Sequence, residues 1–447
     1  MENKVDTFIK NPKKALFKLA SPIIIAMTFQ TLYNIVDTAF VGRLGAESIA
    51  ALTFSFPLFL ILIALNQGIN VGMSQRISRY LGAKQKHAAE NTAIHGLLMS
   101  LLFAIIILIL GAPFLNYLFT LIGAEGIVLS LATDYMSIIL IGSLFMFPAF
   151  VINRIFAAQG DTKTPMKVQI ASLLLNIILD PIFIYGFGWG VKGAAMATAV
   201  SFLLALVMYL YYLHFKSYLQ VRLSSFRFNS KLIKEIIAVG MPATLTMLLV
   251  SLYILFINKF MASFGVDYVA SFGLAARLQN IAIMPIFAFG MALTTLTGMF
   301  YGAKRYDLLK PTINYAIKIS VLITSIIGLV LFILSKPLLL IFTPDQNLLG
   351  LATAYLRIDV FTLPTIAIAL LVSRAMHGMG FGFPGLIINL IRLIFIAIPL
   401  AYLFIFILGF GYLSAAVATI IGGIIADIVA VIWISAKLKK FSNKAKV

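Results

Sequence analysis

The chain has 447 residues, 62% of them hydrophobic and only 11% charged, with a mean hydropathy of +1.04. A water-soluble domain carries about a quarter charged residues, so this composition excludes one. The formal charge of +19 lies in short loops rather than in one patch, which argues against a nucleic-acid partner. No cysteine is present, so disulfides, thiol nucleophiles and thiolate metal sites are excluded, and His87, His95, His214 and His377 show no ligand spacing.

Blocks such as 98-LMSLLFAIIILILGAPFL-115, 321-VLITSIIGLVLFIL-334 and 393-LIFIAIPLAYLFIFIL-408 read as bilayer spans, each needing roughly 20 mostly apolar residues. The first residues, MENKVDTFIKNPKKALFKLASP, lack the apolar core and small-residue cleavage site of a signal peptide and read as a cytoplasmic amphipathic lead-in. Spans are predicted at about 15–42, 49–79, 88–116, 127–157, 164–187, 191–215, 231–263, 268–300, 305–341, 348–377, 384–409 and 412–436.

Basic residues alternate by loop. Lys4, Lys10, Lys13, Lys14 and Lys18 precede span one; Arg76, Arg79, Lys84 and Lys86 follow span two; Arg154, Lys163 and Lys167 follow span four. Lys216, Arg222, Arg227, Lys231 and Lys234 fill the central loop, Lys304, Arg305 and Lys310 follow span eight, and Lys437, Lys439, Lys440, Lys444 and Lys446 end the chain. The opposite loops hold only Arg43, Lys192, Lys259 and Lys336, so the positive-inside rule puts both termini in the cytoplasm of a cell-membrane protein.

The sequence is also duplicated. At a shift of 220, 40-FVGRLGAESIA-50 lies over 260-FMASFGVDYVA-270, 82-GAK-84 over 302-GAK-304, and Arg154 with Gly160 over Arg374 with Gly380; at 221, 194-AAMAT-198 lies over 415-AAVAT-419. The expected fold is therefore an all-α integral membrane protein of twelve transmembrane helices in two pseudo-symmetric six-helix lobes, 1–215 and 231–447, joined by a cytoplasmic linker at 216–230. Because six is even, both halves keep one orientation, with a pseudo-twofold axis along the membrane normal and a cavity between the lobes. Parallel repeats of this kind are a transporter architecture in which one lobe rocks against the other.

A charge at the bilayer centre costs at least about 2.5–3.5 kcal/mol, so carboxylates within spans are functional candidates. Five fall there: Asp37, Asp134, Asp180, Asp359 and Asp427. At 1.5 Å rise per residue, Asp37, Asp180, Thr198 and Tyr135 lie roughly 8, 10, 10 and 12 Å below the outer ends of four different spans, in one layer. Asn176 stands one turn before Asp180, and Tyr33 one turn before Asp37. This pattern predicts a proton or Na⁺ site built from Asp37 and Asp180 with Asn176 and Thr198 as neutral donors, since two close carboxylates in a low dielectric do not both stay ionised cheaply. The alternative is a hydrogen-bonded pair that only holds the bundle together.

In the second half, Ile257 and Leu400 stand at the equivalents of Asp37 and Asp180, while Asp359 and Asp427 read mainly as structural partners of Arg277, Arg357, Arg374 and Arg392, with a coupling role as the alternative. Asp134 reads as close to the outer surface. Pro22 in span one and Pro181 beside Asp180 each remove a backbone hydrogen bond and permit a bend, and the 37 Phe and 17 Met residues suit a greasy, adaptable substrate cavity.

The segments 21-SPIIIAMTFQTLYNIVDTAFVGRLG-45, QGD at 159–161 and 176-NIILDPIFIYGFGWGVKGAAMAT-198, with their second-half echoes, resemble the multidrug and toxic compound extrusion (MATE) transporters of the DinF-like branch. The resemblance implies outward extrusion of amphipathic or cationic compounds by cation-coupled antiport. It also implies that Asp37, Asn176, Asp180 and Thr198 form the coupling site for H⁺ or Na⁺, that Gln30, Tyr33, Tyr135 and Asn153 belong to the cavity network, and that span one bends at Pro22. Depth along the helix places Asn153 nearer the inner end than this layer. The sequence departs from the NorM branch, whose span seven carries an acid, because 244-TLTMLLVSLYILFINKF-260 has none.

Rival readings are a lipid or lipid-linked oligosaccharide flippase of the same plan, favoured by Arg277 and Arg392, and an intramembrane aspartyl protease, which expects a GxGD-type motif where this chain has Ile-Ile-Leu before Asp180. A channel expects a selectivity filter, and nothing in the chain resembles one. The expected protein is not an enzyme, needs no cofactor beyond the coupling ion, and acts as a monomer.

Overall fold

A computed structural model of the chain describes residues 4–444; Lys446 falls outside the described residues. Every regular element among them is helical. The twelve predicted spans appear as Pro12–Gly42, Ala46–Gly82, Lys86–Gly111 with its extension to Leu121, Gly126–Ala158, Lys163–Gly186, Gly190–Lys216, Ser230–Ala262, Val266–Gly302, Leu309–Leu340, Gln346–Gly378, Phe383–Ile407 and Ser414–Lys444. Eleven are long and apolar enough to cross a membrane unbroken. The tenth consists of Gln346–Asp359 and Thr362–Gly378, bent by 48° at the break between them.

Turn chemistry sets the ends of these helices and repeats between the halves. Span two (Ala46–Gly82) and span eight (Val266–Gly302) begin after Gly45 and Gly265, at φ 104° and 132°, which only glycine adopts freely. Both helices run into a Gly-Ala-Lys turn whose lysine takes the left-handed conformation, Lys84 at φ 58° and Lys304 at φ 57°. Backbone N–H groups at 83–85 and at 303–305 return to the last free carbonyls of each helix in the same pattern. The Gln-Gly-Asp turn is equally specific. Gly160 supplies a φ of 78°, and Asp161 accepts the N–H groups of Lys163 and Thr164, both at 3.2 Å, to start span five.

The repeat holds at a shift of 220 from Ala46–Gly82 over Val266–Gly302 to Gly126–Ala158 over the pair ending at Gly378. It becomes 221 within span eleven, where Ile182–Gly186 corresponds to Leu403–Ile407, both π-helical. The extra residue is absorbed by a second π segment, Leu390–Ala397, that span five lacks. Asp180 therefore corresponds to Ala401 and not to Leu400, because the π turn has shifted the register by one.

By packing, Ser21–Gly240, joined by Lys4, form one unit, and Val5–Ala20 with Met241 onward form the other. Each boundary falls just ahead of a proline, Pro22 in span one and Pro242 in span seven, again 220 apart. In the first unit the start of span seven lies against span two at positions where a glycine removes the side chain from one or both helices. A Cβ on Gly240 would meet the Gly68 carbonyl, and one on Gly72 the Ile236 carbonyl, both at 2.0 Å. Close approach through small residues is how helices associate where lipid tails remove the hydrophobic drive. Arg76 and Glu235 pair at 3.3 Å beside this crossing.

The segment between the halves is held by polar side chains of the first unit. Gln159 Oε1 accepts Ser217 Oγ and the N–H groups of Tyr218 and Leu219, and Glu90 accepts the N–H of Gln220 at 2.8 Å. Asn91 bonds both the N–H and the carbonyl of Arg227, and His95 Nε2 accepts the N–H of Asn229 at 3.1 Å. In the second unit the last helix ends on aromatic packing, with Phe441 against Tyr301 at 5.4 Å, Tyr306 at 5.6 Å and Phe381 at 6.3 Å between ring centroids.

Candidate functional site

Asp37 stands in the last two turns of span one, and Asp180 is the penultimate residue of the α-helical part of span five. Asp180 is fully buried. The Asp37 carboxyl faces both Asp180 and the Tyr33 hydroxyl, which in turn faces Thr198 of span six. Tyr135 of span four stands close to both carboxyls. The four helices predicted to share a polar layer do bring these side chains together.

The pair is short of donors. Among the described residues, neither Asp180 oxygen and neither amide atom of Asn176 has a hydrogen-bond partner, although both side chains are buried. Two carboxyls facing each other in a low dielectric repel by several kcal/mol if both are ionised, and a proton shared between them or a bound cation removes that repulsion. No group of three or more His, Asp or Glu able to hold a metal occurs among the described residues. A monovalent cation here would depend on two carboxyls and the neutral oxygens of Asn176 and Thr198, a hard-oxygen set suited to Na⁺ as well as to a proton.

The remaining predicted residues divide. Gln30 accepts Gln169 Nε2 at 3.3 Å and donates to Asn34 at 3.2 Å, joining spans one and five below the acid layer. Asn153 lies apart from that layer, near the other end of span four, where it donates to Tyr209 Oη at 2.8 Å. Pro22 lies within the unbroken helix Pro12–Gly42, and Pro181 ends the α-helical part of span five. Asp134 pairs with Lys192 at 3.1 Å, and both side chains are partly exposed.

The sequence reading missed Gln169 and Tyr185. Gln169 was legible, since it precedes Asn176 by two turns on the Asp180 face. Tyr185 was not. In an α-helix the residue one turn above Asp180 is Ile184, whereas the π segment Ile182–Gly186, with i→i+5 bonds, lets Tyr185 reach span one as well as Ile184.

In the second half, Ile257 and Ala401 occupy the positions of the two acids, and both are fully buried. Arg392 lies among Tyr253, Asp427 and Asp359, on the added π segment, and its Nε has no hydrogen-bond partner among the described residues. Arg357 instead bonds Ser335 Oγ and the Phe332 carbonyl and covers the Phe332 ring.

The MatE family model matches the chain twice, over residues 22–182 and 242–403. The chain belongs to the MatE family. The two matched stretches start 220 residues apart and end 221 apart, so the MatE repeat carries the same single-residue insertion as the helices. Among MatE relatives, the Multidrug export protein MepA of Staphylococcus aureus (strain MSSA476) is 27% identical over 383 residues, covering 85% of this chain and 82% of its own. The Probable multidrug resistance protein YoeA of Bacillus subtilis (strain 168) is 26% identical over 390 residues, covering 85% and 84%.

Among solved structures, a crystal structure of MATE in complex with MaL6 matches with a TM-score of 0.95 at 32% identity, covering 99% of this chain and 100% of that one. A MOP superfamily transporter from Pyrococcus furiosus Vc1 (DSM3638) matches at 0.94 and 32%, covering 99% of each. MatE proteins are membrane transporters rather than an enzyme class, and this chain is a multi-pass membrane protein of that kind.

Proposed function

We propose that this protein is a cation-coupled exporter that expels small amphipathic or cationic compounds across the cell membrane in exchange for H⁺ or Na⁺, with both termini cytoplasmic. The observation that carries the reading is Asp180, buried with no donor on either oxygen among the described residues and faced by a second carboxyl. Such a pair binds a cation or proton far better than an isolated exposed acid. It also changes charge on doing so, which is what an ion gradient needs in order to act on a protein. Kinship with proteins named as multidrug exporters supports the substrate class.

Cations entering from outside occupy the pair, the helices that carry it adjust, and bound substrate loses affinity and leaves. A ligand shifts a conformational equilibrium only by its differential affinity for the two states, so ion and substrate compete through the shape or the charge of this layer. Transport of a fluorescent organic cation in proteoliposomes, with pH and Na⁺ gradients imposed separately, identifies the coupling ion. Asp37→Asn is expected to reduce gradient-driven efflux to background while leaving the amount of folded protein unchanged; wild-type efflux from this variant would overturn the reading. Rescue of a drug-sensitised host separates drug export from lipid flipping, which would give no resistance.

A further inference from the structure

Spans one and five, which carry the two carboxyls, are tied to each other at two heights. Below the pair, Gln169 donates to Gln30. Above it, Tyr185 Oη donates to the backbone carbonyl of Phe40 at 2.5 Å. Phe40 is three residues past Asp37, in the last turn of a helix that ends at Gly42. Its carbonyl is one of the four that a helix terminus leaves without a regular partner; among the described residues, the backbone group outside the helix that reaches it is the Arg43 N–H, at 3.3 Å. The tyrosine thus adds a short side-chain bond where span one offers only a long one from the Arg43 N–H.

The anchor on the other side is stiff. The π segment bearing Tyr185 lies against span six at Gly193, where an added Cβ would stand 2.7 Å from the Phe183 carbonyl. Ile184 is buried against Val41 and Ala194 in the same small core. A hydroxyl fixed to this platform fixes the end of span one.

The second half supplies an internal control. Phe40 and Tyr185 correspond to Phe260 and Phe406, and each pair makes the same T-shaped ring contact, at 6.5 and 5.5 Å. The ring contact is shared packing. The hydroxyl bond occurs only in the half that holds the acid pair.

We propose that Tyr185 is a positioning residue for ion coupling: by holding the Phe40 carbonyl, it keeps Asp37 facing Asp180 and makes the two carboxyls behave as one site. This rests on the proposed coupling role of the pair. The ionisable groups facing Asp37 are Asp180 of span five, Tyr33 of span one and Tyr135 of span four. Facing carboxyls that interact by more than about one pH unit lose their protons in two separated steps.

The test is Tyr185→Phe, which keeps the ring that the second half also uses. The carboxylic C=O stretch of the full-length purified protein is followed by infrared difference spectroscopy as pH is varied. The wild type is expected to show two steps, and Y185F to bring them together to within about one pH unit, with gradient-driven efflux falling several-fold. Repeating the substitution in an Asp180→Asn background keeps the test specific, since Y185F should then leave the remaining Asp37 transition where it was.

An unchanged two-step titration in Y185F overturns the proposal. So does a shift of the same size in the Asp180→Asn background, or loss of folded protein, which would make Tyr185 merely structural. Failure of the coupling role itself is recognised separately, as wild-type efflux from Asp37→Asn.

Discussion

The two halves of the molecule share helices, turns and even a π segment, and differ where the buried charges lie. In the first half, span four runs unbroken from Gly126 to Ala158 past an acid pair that, among the described residues, has no cationic side chain beside it. In the second, the equivalent helix breaks after Asp359, where the Thr362 hydroxyl bonds the Asp359 carbonyl at 2.6 Å, and the acids are accompanied by Arg392. A duplicated scaffold has kept its folding instructions in both copies and its unneutralised acids in one. Backbone geometry and buried charge are therefore separable layers of the same sequence.

The largest expected effect comes from making the first half resemble the second at a single site. Asp180→Ala installs the residue found at the repeat-equivalent position 401. Gradient-driven efflux should fall to background in the proteoliposome assay. The thermal unfolding midpoint should stay or rise, because a buried carboxyl without a donor is removed rather than a contact. A variant that transports normally but unfolds early would reverse the comparison and make the acid structural.

The opposite change sharpens the comparison from the other side. Arg392→Leu strips the cationic side chain from a buried set in which Asp427 Oδ1 already lacks a partner. Leaving acids unaccompanied inside the bundle should cost about 3 kcal/mol, seen as a clear drop in thermal stability. Adding Asp427→Asn should return a good part of that loss, and failure of the second substitution to do so would mean that Arg392 acts by packing. Its backbone carbonyl does lie close to Gly422, where a Cβ would stand at 2.6 Å.

The ends of the two halves offer a smaller contrast. The stretch after span six is held by Gln159, which accepts three donors at once, and the last helix by the buried ring of Phe441 near its end. Gln159→Ala should cost about 1–3 kcal/mol and expose the stretch around 217–229 to proteolysis. Phe441→Ala should cost a similar amount without changing cleavage there. Equal protease sensitivity of that stretch in both variants would mean that the two ends are not independently held.

The contrast also shows what the sequence could disclose. Twelve apolar runs, a 220-residue echo and the Gly-Ala-Lys turns are one-dimensional signals, since spans and helix ends depend on local composition. Asp37, Tyr33, Asn176 and Thr198 were legible because α-helical rise and i, i+4 spacing convert position into depth and face. Where the helix departs from 3.6 residues per turn, that conversion fails. It assigned Leu400 rather than Ala401 to the place of Asp180, passed over Tyr185, and gave no sign of the break in span ten at Val360 and Phe361. Each miss lies at a π segment or a break, where tertiary packing sets the backbone.

The smallest prediction concerns a feature in which the halves agree. Lys84 and Lys304 both adopt left-handed backbone conformations, which cost a side-chain-bearing residue roughly 1 kcal/mol relative to glycine. Glycine's greater unfolded-chain entropy offsets part of that relief, so Lys84→Gly and Lys304→Gly should each stabilise by about 0.5 kcal/mol, a gain of a degree or so in thermal unfolding. Both loops also carry the positive charge that the positive-inside rule counts. If charge is what keeps lysine there, Lys84→Gly should raise stability while increasing the fraction of chains inserted in the wrong orientation, as scored by protease accessibility in intact vesicles. A glycine variant that is less stable and correctly inserted would show that the lysine side chain contributes a contact of its own.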